Sequence, residues 1–478
     1  MLRSDVPEGL PEPISLRLDP GTRRSDGGRT LIGGSPLRVL RLTEAGARIV
    51  DDLESGATVD AEPSRQRVAR ALLDSGMAHP VPGETPPLTV SIVVPVRDDA
   101  DPLASLLVAI SDTPLVDEVI VVDDGSADPS SVERVVAGRA RLLRCDSSRG
   151  PAAARNRGWR ATTTDLVVFV DADVTPPSDW IDGLVAHFSD PRVAAVAPRV
   201  RGRPNGNSAI DRYERHRSPL DLGPDEARVV PGGRVSYVPT ATVVFRRSVL
   251  EDNDGFDESL RFGEDVDLIW RVARDHSVRY EPAVEVVHDN RATWAALVRQ
   301  RMQYGSSAAH LDRRHPGQVA PVAVNAWSLG AWTLTALGGP TGAVAGLSTA
   351  AISGGLLWPT LRTRVDDPLA ETIRLAGRGN LWAGRWLATA TTRAWLPVAV
   401  AAALPSRRVR RALAAAVVVP SLLEWVERRP DLDPITWTAI RLLDDAAYCA
   451  GVWRGCSDVG RWRAIRPRLS GIPGLTDR

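Results

Sequence analysis

Three acidic clusters in this sequence carry residue types suited to catalysis, and they are Asp123-Asp124-Gly125-Ser126, Asp171-Ala172-Asp173 and Glu264-Asp265. Asp171 and Asp173 are alternate residues of an extended segment, so both can face one divalent cation. A cation that bridges a diphosphate neutralises charge as the diphosphate leaves. Glu264 and Asp265 open a predicted helix, where a carboxylate is held in place and can act as a general base.

The elements that position these clusters alternate between strands and helices. Short β-branched runs cover 90–95, 118–123 and 165–171, and helical patterns cover 103–110 and 152–161. This alternation predicts a parallel sheet covered on both faces. Ligands of such sheets bind beyond the carboxyl ends of the strands, so carboxylates that directly follow strands belong to the site. Asp124, beyond the second strand, can accept a hydrogen bond from a nucleoside base or ribose.

Each cluster alone also has an ordinary structural explanation. The first can be a solvated turn, the second a surface loop and the third a helix start favoured by the helix dipole. The order of the three clusters within one predicted domain favours a functional role for them over these structural explanations.

Composition narrows the class of protein. The 478 residues suggest about three structural units, and 43% hydrophobic with 25% charged residues is ordinary globular composition. The 59 basic residues balance 59 acidic residues, which argues against a nucleic-acid partner. Every basic residue is Arg, so a Schiff-base lysine is excluded.

Five segments, in this order, resemble inverting family 2 glycosyltransferases: VSIVVPVRDD, VIVVDDGSAD, RGPAAARNRGW, DLVVFVDADV and FGEDVDLIWRV. The resemblance implies a nucleotide-binding GT-A type mixed α/β sheet over residues 88–315 and a nucleotide sugar as donor. At the matching positions it places Pro95, Asp98 and Asp124 at the nucleoside. It places Arg155 near the base and the diphosphate.

The same resemblance implies the chemistry of the remaining positions. Asp171 and Asp173 would hold Mg²⁺ or Mn²⁺ together with the sugar nucleotide. Asp265 would deprotonate the acceptor hydroxyl, and Glu264 would orient that base or the acceptor. His288 would be a further ligand of the metal or the diphosphate, and the alternative is a structural histidine.

The acceptor side is predicted from the loop 231–239 and the helix that follows it. Tyr237 could stack on a sugar or peptide ring, or lie in a plain loop, and Trp270 is expected on the same side. The segment 299–304 matches the Gln-x-x-Arg-Trp pattern of processive synthases only in part, which puts processivity in doubt.

Residues 1–87 form a separate block that ends in a Pro-rich linker at 79–87. The pattern predicts a strand at 37–42, a helix capped by Thr43 and a second helix from Ser64 that stops at Ser75-Gly76. Strand, helix, helix and extended tail resemble small winged-helix peptide-recognition modules. The alternative is a cap that packs on the next domain.

Residues 316–478 are predicted to be a hydrophobic helical region associated with the membrane. The 44 residues of 318–361 contain no Asp, Glu, Arg or His, and Gly338 to Pro340 divide them into two arms. Each arm approaches the length that spans ~30 Å of hydrocarbon, so the segment is a two-pass hairpin or a buried helix pair. The N-terminus lacks an apolar secretory segment and the three cysteines suit neither a disulfide framework nor a zinc site, which favours the cytoplasmic face of the cell membrane.

The three-part architecture resembles the group of family 2 enzymes that act in mycofactocin biosynthesis. That resemblance implies β-1,4 transfer of glucose from UDP-glucose to premycofactocin, a peptide-derived redox cofactor. Three alternatives stay open. One is a membrane-linked transferase with a lipid or polysaccharide acceptor, and another is a scaffold with a degenerate site, against which the intact carboxylates argue. The third is a nucleotidyltransferase, which needs a Gly-rich basic loop that 95–99 does not supply.

Overall fold

The computed structural model describes residues 9–11, 13–203, 206–289 and 293–470. Residues 1–8, part of the N-terminus for which no secretory segment was predicted, lie outside these ranges. The strands are β1 (Ser15–Leu18), β2 (Arg23–Ser25), β3 (Thr30–Gly33), β4 (Arg38–Arg41), β5 (Ala78–Val81), β6 (Val90–Val96), β7 (Val116–Asp123), β8 (Arg141–Arg144), β9 (Leu166–Val170), β10 (Val174–Thr175), β11 (Val193–Gly202), β12 (Ala227–Arg228), β13 (Thr242–Arg246), β14 (Ser277–His288), β15 (Ala323–Asn325) and β16 (Arg468–Ser470).

The helices are α1 (Glu44–Glu54), α2 (Pro63–Ser75), α3 (Ala100–Ile110), α4 (Pro129–Val136), α5 (Pro151–Arg160), α6 (Trp180–Val185), α7 (Ala209–Arg217), α8 (Arg247–Asp252), α9 (Glu264–Val272), α10 (Trp294–Arg314), α11 (Ala326–Leu337), α12 (Gly339–Gly355), α13 (Trp358–Leu361), α14 (Pro368–Arg393), α15 (Leu396–Ala403), α16 (Arg407–Arg428) and α17 (Pro434–Val459). Two compact units result: within the described ranges, the first comprises 9–24, 28–203 and 217–289, and the second comprises 25–27, 206–216 and 293–470.

Within the described part of the predicted N-terminal module (1–87), residues between positions 10 and 78 form a hydrophobic core of their own. The elements predicted there are confirmed: β4 is followed by α1, whose first turn is capped by the Thr43 side chain, and α2 ends at Gly76, which has a φ of +68°. Such a left-handed residue commonly terminates helices because glycine adopts it without a Cβ clash. The likeness to a winged helix and the role in peptide recognition stay predictions.

The first unit also contains a mixed sheet in the order β10-β14-β11-β13-β9-β6-β7-β8, with β12 beside β14. The three strands predicted from β-branched runs, β6, β7 and β9, are parallel neighbours, as expected. The strand β13 runs antiparallel to both β9 and β11, which makes the sheet mixed. The predicted GT-A-like α/β fold is therefore confirmed, and helix α5 crosses close to β6 because Gly158 has no Cβ to meet Val93.

Helices α10 to α17 make up most of the second unit. The predicted break near Gly338 is confirmed, because α11 ends at Leu337 and α12 begins at Gly339. Helix α11 has only 12 residues, about 18 Å, which is shorter than the ~30 Å of a hydrocarbon core. Among the described residues one helical stretch, Gly339–Leu361, is long and apolar enough to cross a membrane, so two spanning arms are not found.

One residue of the 299–304 segment, Arg301, belongs to a buried ionic network within the second unit. The Arg301 guanidinium pairs with Glu214, and its Nε lies 3.1 Å from Asp444 Oδ1. Tyr213 donates its hydroxyl to the same Asp444. Arg301 is 2% exposed, so its charge is used in packing α7, α10 and α17 together.

Candidate active site

Two aspartates and a histidine meet beyond the ends of β9 and β14. Asp171 directly follows β9, and β10 pairs with β14 so that Val174 lies opposite His288. The His288 Nε2 is 3.3 Å from Asp173 Oδ2. Ligand atoms of Asp171, Asp173 and His288 all lie within 4.8 Å of one another.

This donor set fits a divalent cation of the Mg²⁺ or Mn²⁺ type. Carboxylate oxygens are the ligands that these hard cations prefer, and a neutral imidazole nitrogen is a common metal ligand. The side chains come from two strand ends held in register by the sheet. The prediction that Asp171 and Asp173 can face one cation therefore agrees with their geometry, and His288 offers a third ligand atom beside them.

The buried Arg155 lies between this group and the predicted base. Its Nη2 is 2.7 Å from Asp171 Oδ1, and its Nη1 is 3.2 Å from Glu264 Oε1. Arg155 extends from α5 and is 4% exposed. In the structure its charge joins the two carboxylates, and its predicted place near the base and diphosphate of the donor stays a prediction. Arg155 thereby fixes the first acidic residue of α9 relative to the strand end of β9.

Glu264 and Asp265 begin α9, as predicted. The preceding Gly263 has a φ of +81°, a left-handed conformation that glycine adopts without strain and that turns the chain into the helix. Asp265 Oδ1 accepts a hydrogen bond of 2.7 Å from the Val266 N–H. Burial, and then the neighbouring Asp265 charge, raise the pKa of Glu264 to about 7, and burial also raises the pKa of Asp265. A carboxylate with a raised pKa is a stronger base near neutral pH.

We expect the acidic limb of kcat to lie above the usual pKa range of an aspartate, because burial raises the pKa of Asp265. The base must be ionised to accept a proton, so kcat falls as the pH falls through the raised pKa of the Glu264 and Asp265 pair. Glu264→Gln removes one negative charge beside Asp265 and should move the limb to lower pH. The measurement is kcat against pH at saturating substrates for both proteins. Superimposable profiles would contradict the coupling.

The predicted nucleoside residues lie at the carboxyl ends of β6 and β7, which are parallel neighbours, at the same sheet edge as Asp171. Pro95 is half-buried and is the second-last residue of β6, and Asp98 is exposed just beyond the strand with a φ of +58°. Asp98 Oδ1 accepts a hydrogen bond of 2.7 Å from the Ala127 N–H, which ties the two strand ends together. Contact of Pro95 and Asp98 with a nucleoside stays a prediction.

Asp124 holds a neighbouring loop rather than lying free at the sheet edge. It is 5% exposed and accepts hydrogen bonds from the Ser148 hydroxyl and the N–H groups of Arg149 and Gly150. Gly125 has a φ of +74°, and a Cβ there would be 2.6 Å from the Ser148 nitrogen. The glycine thus permits close packing of two backbones, and contact of Asp124 with a nucleoside stays a prediction.

The predicted acceptor-side residues lie on a tight loop and on α9. Residues 230–235 turn sharply, because the Val230 N–H donates to the Val235 carbonyl and the Gly233 N–H donates to the Val230 carbonyl. Tyr237 is half-buried beyond this turn. Trp270 is buried, and its indole N–H donates to the Ser236 carbonyl at 2.7 Å. Trp270 thus supports the loop from beneath, and stacking of Tyr237 on a ligand stays a prediction.

Asn156 is a residue of the site that sequence reasoning did not single out. Its side chain accepts from the Phe256 N–H and donates to the Phe256 carbonyl and to Glu258. These bonds fix the segment that leads to Gly263 and α9. The only sequence signal was its place beside Arg155 in the segment RGPAAARNRGW, because its partners lie about a hundred residues away.

The mixed sheet, with carboxylates and a histidine beyond its strand ends, defines a GT-A type glycosyltransferase. Residues 91–253 match the family described as Glycosyl transferase family 2. The chain is 39% identical over 473 residues to the protein named Pre-mycofactocin glycosyltransferase of Mycobacterium tuberculosis, covering 96% of this chain and 98% of that one. The chain therefore belongs to the family 2 glycosyltransferases, and its resemblance to the mycofactocin member extends over nearly its whole length.

Two further similarities are weaker. The succinoglycan biosynthesis protein ExoU of Rhizobium meliloti is 31% identical over 242 residues, which is 46% of this chain and 65% of that protein. The mannosyltransferase PcManGT of Pyrobaculum calidifontis, solved with GDP-Man and Mn²⁺, is 20% identical, with a TM-score of 0.45 over 78% of this chain and 90% of that chain. Family membership excludes the nucleotidyltransferase alternative.

Proposed function

We propose that this enzyme transfers glucose from UDP-glucose to premycofactocin with inversion, in β-1,4 linkage, and builds an oligosaccharide on that peptide-derived redox cofactor. The observation that carries the proposal is the 39% identity that covers 98% of a relative named Pre-mycofactocin glycosyltransferase. An alignment over 96% of this chain must include most of the N-terminal module and most of the helices beyond residue 315, so the likeness is not confined to the catalytic domain.

The placement of the side chains supports the following mechanism. Asp265, with a raised pKa, accepts the proton of the acceptor hydroxyl, and the oxygen attacks the anomeric carbon in a single displacement that inverts its configuration. Asp171, Asp173 and His288 would hold a divalent cation, which when bound neutralises the charge of the departing diphosphate. Arg155 holds Asp171 and Glu264 at a fixed separation, so the base and the leaving-group side stay aligned.

The proposed location is the cytoplasmic face of the cell membrane. Support comes from the apolar stretch Gly339–Leu361, of which only 22% is buried. Helices α12, α14 and α16 also expose large apolar side chains, among them Val344, Leu347, Leu381, Trp386, Val419 and Leu423. Four arginines open α16, at positions 407, 408, 410 and 411, and basic residues beside apolar helices suit anionic lipid headgroups.

Mass spectrometry of premycofactocin after incubation with the enzyme, UDP-glucose and Mn²⁺ tests the proposal. We expect successive hexose additions that require the donor and the cation. A boiled enzyme sample controls for carry-over of glycosylated product. If premycofactocin stays unmodified while the same enzyme transfers hexose to lipid or glycan extracts, the acceptor proposal is wrong and the alternative of a membrane-linked polysaccharide or lipid transferase holds.

A further inference from the structure

Two bidentate ion pairs join the N-terminal module to the catalytic domain. The Arg234 Nη1 and Nη2 lie 3.0 Å and 3.2 Å from the two carboxylate oxygens of Asp19. In the other pair, Arg70 of α2 binds Asp190 in the same manner, at 2.8 Å and 3.1 Å. Because paired parallel hydrogen bonds fix orientation as well as distance, each pair acts as a geometric constraint between two separately packed cores.

Asp19 is a fixed anion within the module. Its carboxylate also accepts hydrogen bonds from His79 Nε2 at 2.9 Å and from the Gly21 N–H at 2.8 Å. Burial would raise the pKa of Asp19, but the bonds from His79 and Arg234 outweigh burial and hold it well below its usual range. The Asp19 side chain is only 2% exposed, so its carboxylate is held in one position when it binds Arg234.

What Asp19 binds is the tight loop 230–236 on the acceptor side. Arg234 lies in that loop, and its backbone N–H donates to the hydroxyl of Ser35, another residue of the module. The loop approaches the module closely at Gly233, where a Cβ would lie 3.4 Å from the Ser35 carbonyl oxygen. The module therefore holds the loop through both a side chain and the backbone.

The loop in turn contacts the helix that carries the base. The Ser236 carbonyl, two residues after Arg234, accepts the indole N–H of Trp270 at 2.7 Å. Asp265 lies five residues before Trp270 on α9, about 7.5 Å along the helix axis. The loop thus connects the module to Trp270 in the last turn of α9, the helix that begins with Glu264 and Asp265.

We propose that Asp19 and Arg234 are positioning residues for glycosyl transfer, through which the N-terminal module fixes the loop 230–236 and, through Trp270, the helix α9 that carries Asp265. This inference depends on the proposed role of Asp265 as the base. It gives the module a function in catalysis that is separate from recognition of a peptide. Arg70 and Asp190, which are joined in the same way, do not contact this loop in the described structure, and they provide a matched comparison.

The test compares Arg234→Met with Arg234→Lys and Arg70→Met in the full-length enzyme. We expect Arg234→Met to lower kcat/KM for the acceptor by about tenfold, since small displacements of a base from its substrate are costly. The KM for UDP-glucose should stay within about twofold, because the donor residues follow other strands. Arg234→Lys should recover part of the loss, since a lysine keeps the charge but not the paired geometry. Arg70→Met should lower stability, because it leaves the Asp190 charge unpaired, but it should keep the kcat/KM of the unmodified enzyme.

Hydrogen exchange measured by mass spectrometry gives a readout that is independent of the acceptor. Arg234→Met should speed amide exchange in segments 230–238 and 264–272, and Arg70→Met should not. Unchanged exchange and unchanged kcat/KM in Arg234→Met would overturn the inference, as would equal losses in Arg70→Met. Absence of hexose transfer by the unmodified enzyme would instead refute the proposed function, and the exchange comparison would still decide the coupling.

Discussion

Replacement of Asp265 with Asn should lower kcat by about 10³-fold while leaving donor affinity nearly unchanged, because a positioned general base contributes about 10²–10⁴-fold. The substitution preserves shape, and the amide oxygen can still accept the hydrogen bond from the Val266 N–H that Asp265 Oδ1 accepts now. The loss therefore reports proton transfer rather than a disturbed helix start. The measurement is steady-state kcat for hexose transfer, together with titration of UDP-glucose in the presence of Mn²⁺.

A matched control is Asp275→Asn, which removes an exposed carboxylate just beyond the same helix. That variant should keep the kcat of the unmodified enzyme. If Asp265→Asn retained more than about a tenth of the original kcat, another group would be the base. Glu264, bound to Arg155, would then be the next carboxylate to test.

Replacement of Asp173 with Asn should weaken binding of Mn²⁺ in the presence of UDP by at least about 100-fold, since even partners outside the coordination sphere contribute 10–100-fold to metal affinity. The variant keeps an oxygen near His288 but loses the charge that a divalent cation requires. Transfer should fall in parallel and recover in part at high Mn²⁺ concentration. Calorimetric titration of Mn²⁺ into the enzyme with saturating UDP measures the change.

The control for this variant is Asp182→Asn, an exposed carboxylate on α6. It should leave the titration unaltered, because its charge lies outside the group formed by Asp171, Asp173 and His288. Identical Mn²⁺ titrations for Asp173→Asn and the unmodified enzyme would remove Asp173 from the metal site.

The central strands were predictable from sequence because their residues are buried on both faces. Runs such as that of β9 are 0% exposed over all five residues, and a fully buried parallel strand shows a continuous apolar run. The run 242–246 has the same character, yet its direction depends on which neighbours it pairs with. The antiparallel pairing of β13 with β9 depends on tertiary contacts, and the local sequence does not determine it.

The acidic members of the site were predictable, whereas their partners were not. Strand ends and a helix start locate carboxylates such as Asp171 and Glu264 by local rules. The arginine that joins them is 109 residues from Glu264 along the chain. No periodicity specifies such a pair, so Arg155 was assigned to the donor by resemblance, and its ion pairs are visible only in the folded structure.

A two-pass hairpin or a buried helix pair was predicted from a charge-free run. In the structure, the first helix of that run is shortened because it begins only after Asn325. The side chain of Asn325 accepts a hydrogen bond of 2.7 Å from the Ser328 N–H and starts α11 only at Ala326. An uncharged run shows where charge is absent, but caps determine where a helix begins. The residues before Asn325 contribute to β15 instead, which shortens the first arm.

The ion pairs between the N-terminal module and the catalytic domain limit which modules could replace the present one during evolution. The Pro-rich segment at 79–87 is the kind of linker at which one domain could be exchanged for another during evolution. A foreign module without counterparts of Asp19 and Arg70 would leave Arg234 and Asp190 without the carboxylate and the guanidinium that they bind here. Burial of an uncompensated charge such as Asp190 is strongly unfavourable. The two parts are therefore expected to be inherited as a pair, with changes on one side matched on the other.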